Sequence, residues 1–231
     1  MTAGIAVVTG AASGIGRATA RELTERGWLV AGLDRSPAPD CAVSVQVDVA
    51  DAEAVTAAVD RAAARLGPVT AAVSVAGHYQ MAAVSDVTAE AWHRMLRVHL
   101  GGLLNLSRAV LPGMLERGAG SVVAVSSELA VGGGCDDVHY ASAKGAILGL
   151  VRSLAAEVAP AGVRVNAVAP GPTDTPLLSD DSPWRAPDYL ATLPLRRLVH
   201  PDEVARCVAF LVDEATFCVG EVLNPNAGAV I

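Results

Sequence analysis

Aromatic residues are scarce in this chain, at 3%, and charged residues make up only 18%. The apolar 52% is mostly alanine and valine, which suits buried parallel strands beneath alanine-rich helices and argues against disorder. No stretch approaches the roughly 18 consecutive apolar residues of a membrane-spanning helix. Near the N-terminus, Ile5–Val8 is too short for the apolar region of a signal peptide and has no basic flank. Basic residues are scattered and the formal net charge is −7, so the electrostatic footprint of a nucleic-acid binder is missing. The four cysteines (Cys41, Cys135, Cys207, Cys218) form no C-x-x-C pair and no metal-ligand spacing with the five histidines. The expectation is a soluble, cytoplasmic protein with reduced, buried thiols, no metal, no membrane and no nucleic-acid partner.

What is present is alternation of short apolar runs with longer helical patterns. Strands are expected at Ile5–Thr9, Trp28–Leu33 (ending at Asp34), Val43–Val47, Thr70–Val75, Ser121–Ser126, Val163–Val168 and Glu221–Asn224. Helices are expected at Gly14–Arg26, at Ala52–Leu66 capped by Asp51, and from Thr88 to about Arg117. In that last helix a disturbance is expected near Gly101-Gly102, and a kink or split at Pro112-Gly113. Two more follow at Tyr140–Ala159 and Asp202–Asp213, and residues 170–201 read as proline-rich and irregular. Only eight residues, Arg35–Ala42, join the second and third strands, too few for a crossover helix. A chain of 231 residues without repeat or linker reads as one domain. Its fold class is α/β, a doubly wound parallel sheet of about seven strands with helices on both faces.

The turn between the first strand and first helix reads Thr9-Gly10-Ala-Ala-Ser13-Gly14-Ile15-Gly16. Glycines there let the backbone turn tightly and approach a pyrophosphate, whose charge the helix N-terminus stabilises. Asp34 follows Gly16 by eighteen residues, at the end of the second strand, where a carboxylate can accept hydrogen bonds from the adenosine ribose. It would also repel a 2′-phosphate, so NAD(H) is favoured over NADP(H), although Arg35 offers a guanidinium that could bind that phosphate. No Gly-Lys-Ser/Thr follows, which disfavours a P-loop nucleotide hydrolase.

The stretch His139-Tyr140-Ala-Ser-Ala-Lys144-Gly145 puts a phenol and an ammonium four residues apart, on one face of a helix. A fixed positive charge favours the phenolate and moves tyrosine towards useful acid–base chemistry. Thirteen residues upstream lies Ser127, with Ser126 as a rival at the same strand end.

Together the glycine loop, Ser127, Tyr140 and Lys144 resemble the classical short-chain dehydrogenase/reductase family over essentially the whole chain, and with it a single-domain Rossmann fold. Asp48-Val49 resembles the family's contact to adenine, Val75-Ala76-Gly77 the end of its segment after the fourth strand, and Pro170-Gly171-Pro-Thr173-Asp-Thr175 its loop at the nicotinamide end. The resemblance implies hydride transfer between nicotinamide and a carbonyl or alcohol carbon. Tyr140 would exchange a proton with the substrate oxygen. Lys144 would lower the Tyr140 pKa and hold the nicotinamide ribose, and Ser127 would orient the substrate oxygen. The segment at about 176–200, with Trp184 and Tyr189, would cover a small-molecule alcohol or ketone. His78, Tyr79, Leu129, Val131 and Gly132–Gly134 would line the other walls. A homotetramer built on the long helices is expected.

Two departures stand out. His99 occupies the family's usual Asn position, where the side chain anchors a proton-relaying water; a histidine can hold such a water and ordinarily titrates near neutrality. Ser74-Val75 replaces Asn-Asn, so the scaffold around the central strands must be rebuilt. Family members that oxidise cyclic alcohols or dihydrodiols, and NADPH-dependent carbonyl or 3-oxoacyl reductases, fit these residues; the two departures raise a nicotinamide-binding sensor without turnover, against which the intact Ser127, Tyr140 and Lys144 argue. A sugar-nucleotide epimerase would need a larger C-terminal portion, and enoyl reductases space their tyrosine and lysine more widely.

Overall fold

The computed structural model describes residues 3–231. Seven strands form in the order of the chain: β1 (Gly4–Thr9), β2 (Trp28–Asp34), β3 (Val43–Gln46), β4 (Ala71–Ser74), β5 (Gly120–Val125), β6 (Val163–Val168) and β7 (Val222–Leu223). They pair in parallel as β3-β2-β1-β4-β5-β6-β7. Every residue of β4 is buried, as are five of the six in β1 and in β5, which accounts for their unbroken runs of valine and alanine. The strand order reverses between β1 and β4, and the crevice at such a reversal is where a parallel sheet binds ligands.

Helices α1 (Gly14–Glu25) and α8 (Pro201–Asp213) pack on one face, where Leu23, Val30, Val73, Val208 and Leu211 share a core. The other face is covered by α2 (Ala52–Leu66), α4 (Gly102–Arg117) and α6 (Val138–Val158), with Val55, Leu103, Leu106, Val122 and Val151 inside. Asp51 caps α2 by accepting the Ala54 amide at 3.0 Å, as its position before an apolar periodic run predicts. The link from β2 to β3 contains no helix, in keeping with its length.

Several boundaries differ from the sequence expectation. Strand β4 is two residues shorter, because Thr70 is spent pairing with Ile5 at the foot of the sheet and Val75 has turned into the crevice. The long helix after Thr88 is three pieces: α3 (Ala89–Leu96), a π-helical turn at Arg97–Gly101, and α4. Its disturbance therefore starts ahead of the glycine pair. Pro112 does not split α4, which runs on to Arg117. Both Pro112 and Arg108, whose carbonyl the proline cannot serve, lie on the exposed side of the helix, where the missing bond is tolerated. Between 170 and 201 the chain is less irregular than its prolines suggest and includes the short helix α7 (Pro187–Thr192). One further turn of helix, α5 (Leu129–Gly132), follows β5. The four cysteines are free, but only Cys218 is buried; Cys135 sits in an exposed loop, so the expectation of uniformly buried thiols does not hold.

Candidate active site

Parallel strands all deliver their C-terminal ends to one edge, and here those ends open a cavity of about 880 Å³. The cofactor and acid–base residues expected from the sequence border it: the glycine loop, Asp34 and Arg35, Asp48 and Val49, Val75–Gly77, His99, Ser127, Tyr140, Lys144, and Pro170, Gly171, Thr173 and Thr175. The volume lies within the usual range of ligand sites.

At one end of the cavity the glycine loop is shaped by necessity. Gly10 has a φ of +70° and lies against the Ala76 backbone, and a Cβ on Gly16 would collide with the Gly10 carbonyl oxygen. Helix α1 begins at Gly14 with no side-chain cap from Ser13 and no acid in its first turn, so its amides and positive dipole end are left for an anion. Asp34 receives the Ala12 amide at 3.1 Å and the Ser36 amide at 3.0 Å, which fixes the carboxylate at the end of β2. Arg17 pairs with Asp40 at 2.6 Å, whereas Arg35 stands exposed at the rim. The Asp48 carboxylate accepts its own loop amide, Ala50, at 2.9 Å, and so presents a fixed turn rather than a free side chain. In place of the Asn-Asn scaffold, the buried Thr9 hydroxyl accepts the Val75 and Ala76 amides at 3.0 and 3.1 Å. These features fit the phosphates and adenosine of a dinucleotide.

At the other end stand Ser127, Tyr140 and Lys144, all buried. The rivalry between the two serines is resolved by their partners. Ser126 donates to the Lys144 carbonyl at 2.8 Å and so ties β5 to α6, while Ser127 faces the phenol side of the cavity. Lys144 Nζ donates to the Val125 carbonyl at 2.8 Å and lies 5.6 Å from the Tyr140 ring centroid. The expected lowering of the Tyr140 pKa by Lys144 is not what this arrangement shows. Burial pushes the phenol up, the Glu128 carboxylate pushes it further, and contact with the Ser127 hydroxyl only partly offsets them. Lys144 itself is pushed down to about 7, chiefly by burial, with Glu128 opposing.

Glu128 is the residue that sequence reasoning missed. Its side chain is buried, borders the cavity, and accepts the Ser127 hydroxyl at 2.8 Å. Burial raises its pKa to about 7 against the favourable Ser127 and backbone hydrogen bonds. The available signal was an acid directly after the serine at the end of an apolar strand.

His99 sits in the π-helical turn, where the extra residue per turn swings its ring into the cavity wall. Its Nε2 is 2.8 Å from the His78 carbonyl and 3.2 Å from the His78 amide, and its buried Nδ1 has no partner. Gly77 is required beside it, since a Cβ there would strike the imidazole. Contrary to the expectation of a group titrating near neutrality, burial first and the Lys144 charge second hold its pKa well below 6.5. His99 is a neutral ring at physiological pH.

Above Tyr140 the cavity is walled by Tyr79, whose ring meets the Tyr140 ring edge-on at 4.9 Å. Tyr79 donates to Asp137 at 2.8 Å and accepts the Trp184 indole N–H at 2.9 Å, so the segment after the Pro-Gly loop is anchored over the site. Leu129, Leu177 and Leu178 complete an apolar wall. Tyr189 stands behind, packed edge-on against Trp184 at 4.7 Å. Contrary to expectation, Val131 and Gly132–Gly134 do not border the cavity; they form the exposed last turn of α5 and the loop after it, with Gly132 against Val230.

Comparison with known proteins agrees with this geometry. Residues 10–229 match a family model described as enoyl-(acyl carrier protein) reductase. The chain is 39% identical to cis-4-hydroxycyclohexanecarboxylate dehydrogenase of Sinomonas cyclohexanicum, over 97% of this chain and 95% of that one. It is 35% identical to the 3-oxoacyl-(acyl-carrier-protein) reductase FabG of Escherichia coli, over 97% and 96%. The ligand-free structure of Thermoplasma acidophilum aldohexose dehydrogenase superposes with a TM-score of 0.91 at 30% identity, covering 98% of this chain and 94% of that one. With the glycine loop, the serine, the tyrosine and the lysine gathered at one crevice of a seven-stranded parallel sheet, the chain belongs to the classical short-chain dehydrogenase/reductase family of NAD(P)-dependent oxidoreductases.

Proposed function

We propose that the protein moves a hydride between NAD(H) and a secondary alcohol or ketone, with a cyclic alcohol as the leading substrate class. The observation that carries this reading is the meeting of Ser127, Tyr140 and Lys144 with the glycine loop in one cavity. The bound nicotinamide supplies or accepts the hydride. The glycine loop and the α1 N-terminus hold the pyrophosphate, Asp34 the adenosine ribose, and Lys144 the nicotinamide ribose. Tyr140 exchanges a proton with the substrate oxygen; its raised pKa keeps the hydroxyl protonated at neutral pH, ready to donate to a ketone. Ser127 stabilises charge on the same oxygen. His99, with Nε2 engaged by His78 and a buried Nδ1 that lacks a partner, takes the place of the family's asparagine in holding a relay water. Tyr79, Leu129 and Trp184 offer a flat, largely apolar wall suited to a ring. The name of the Sinomonas relative is consistent with such a substrate.

A carboxylate at Asp34 favours NAD(H), and a homotetramer packed through α4 and α6 is the expected assembly. A second reading, an NADPH-dependent carbonyl or 3-oxoacyl reductase, draws support from Arg35 at the cavity rim and from the resemblance to FabG. One experiment addresses both: cyclic alcohols, diols and ketones are screened with each coenzyme by nicotinamide absorbance, alongside Tyr140→Phe. The substitution is expected to lower turnover by about 10²–10⁴-fold while coenzyme affinity is retained. Unchanged turnover in that variant rules out the assigned role, and a clear NADP preference transfers the 2′ position to Arg35.

A further inference from the structure

Ser127 needs a free proton to stabilise charge on a substrate oxygen, yet in this structure that proton is directed elsewhere. The Ser127 hydroxyl donates to Glu128 Oε2 at 2.8 Å and its oxygen receives the Leu129 amide at 3.2 Å. Both side chains are buried, and both border the cavity. We propose that Glu128 is a positioning residue that sets the direction of the Ser127 hydrogen bond. As a carboxylate it holds the Ser127 proton away from the substrate. As a carboxylic acid it donates to Ser127 Oγ and frees the serine proton for the substrate oxygen. No covalent bond is made between the partners; only the sense of two hydrogen bonds reverses. The inference rests on the oxidoreductase reading of this cavity and adds to it a residue and a pH response.

The surroundings make the acid form accessible. Besides Ser127, the charged and titratable groups acting on or acted on by Glu128 are Asp137, Tyr79, Tyr140, Tyr189 and Lys144. Asp137 opposes the carboxylate, the three phenols have pKa values raised above the ordinary range, and only Lys144 favours it. Burial adds the dominant push towards the neutral acid, with a midpoint of about 7. Because Tyr140 titrates far above that, it stays a proton donor through the whole interval.

The test is kcat/KM for reduction of cyclohexanone with NADH, followed from mildly acid to mildly alkaline pH. The unsubstituted protein is expected to lose about tenfold or more as Glu128 ionises, since one donor to the developing charge is withdrawn. Glu128→Gln, whose amide can donate to Ser127 at every pH, is expected to flatten that limb. Ser127→Ala is expected to lower the rate and also flatten the limb, because the carboxylate then has nothing to act through. A difference infrared spectrum should show a carboxylic-acid carbonyl band that titrates with the same midpoint and vanishes in Glu128→Gln. A limb that persists in Glu128→Gln assigns it to Lys144 and overturns the proposal. One that persists in Ser127→Ala shows a direct field on Tyr140 and overturns it as well. If the unsubstituted protein shows no nicotinamide-linked turnover with any alcohol or ketone, the oxidoreductase reading itself fails, a distinct result.

Discussion

At the scale of single residues, the site is governed by desolvation. Lys144 and Glu128 are both drawn to about 7, and His99 is held neutral. For His99 the sign is definite: its folded pKa lies below the value of about 6.5 expected when unfolded. Its neutral burial therefore contributes stability in full above about pH 6.5, and that contribution is lost as pH falls towards the folded pKa. His99→Asn removes the titration. The unfolding free energy of the unsubstituted protein is expected to fall more steeply than that of the variant below about pH 6.5, by up to about 1.4 kcal/mol per pH unit, as read by denaturant unfolding. Parallel declines would show that the imidazole protonates freely in the folded state. The residue types of the chemistry were legible in the sequence because each is fixed by a spacing, thirteen from Ser127 to Tyr140 and four to Lys144. Their pKa values were not. Burial and Glu128 set those, and neither a degree of burial nor a neighbour's orientation is written in a spacing.

At the scale of elements, the strand–turn–helix unit at the N-terminus is the most constrained piece. The chain passes from β1 into α1 with Gly16 packed on the Gly10 carbonyl, so any side chain at 16 must push loop and helix apart. Gly16→Ala is expected to cost about 2–4 kcal/mol by denaturant unfolding and to abolish measurable coenzyme binding. Retention of tight binding would mean that the loop opens without penalty. This unit was readable because glycine spacing, strand and helix start all agree. The π-helical turn before α4 was only half readable. A disturbance was expected from two glycines, but its centre lies on His99, where the ring's fit against His78 and Gly77 selects the extra residue. Pro112 misled for the opposite reason: a local rule forecasts a break, but the position's exposed setting removes most of the cost.

At the scale of the whole molecule, the cavity has two ends built by different means. The dinucleotide end consists of strand termini and backbone. The substrate end depends on a roof, in which Trp184 reaches Tyr79 and Tyr79 reaches Asp137. Trp184→Ala is therefore expected to raise the KM for a cyclic substrate about tenfold or more while coenzyme affinity changes less than about twofold. Equal losses in both would show that the roof and the coenzyme end act as one body. The doubly wound sheet followed from the alternation of strand and helix patterns. The roof did not, because its three anchoring side chains are 47 to 58 residues apart at the nearest and carry no periodicity that would join them.

Strand β1 is synthesised well before β4, its partner in the middle of the sheet, with Ile5 bonded to Thr70 and Ala6–Val8 in register with Ala71–Val73. Translation at about 5–20 residues per second leaves that flank bare for several seconds on the ribosome. Its valines and alanines are then an adhesive edge, and the nascent β1–β3 segment is where chaperones should be sought holding this protein.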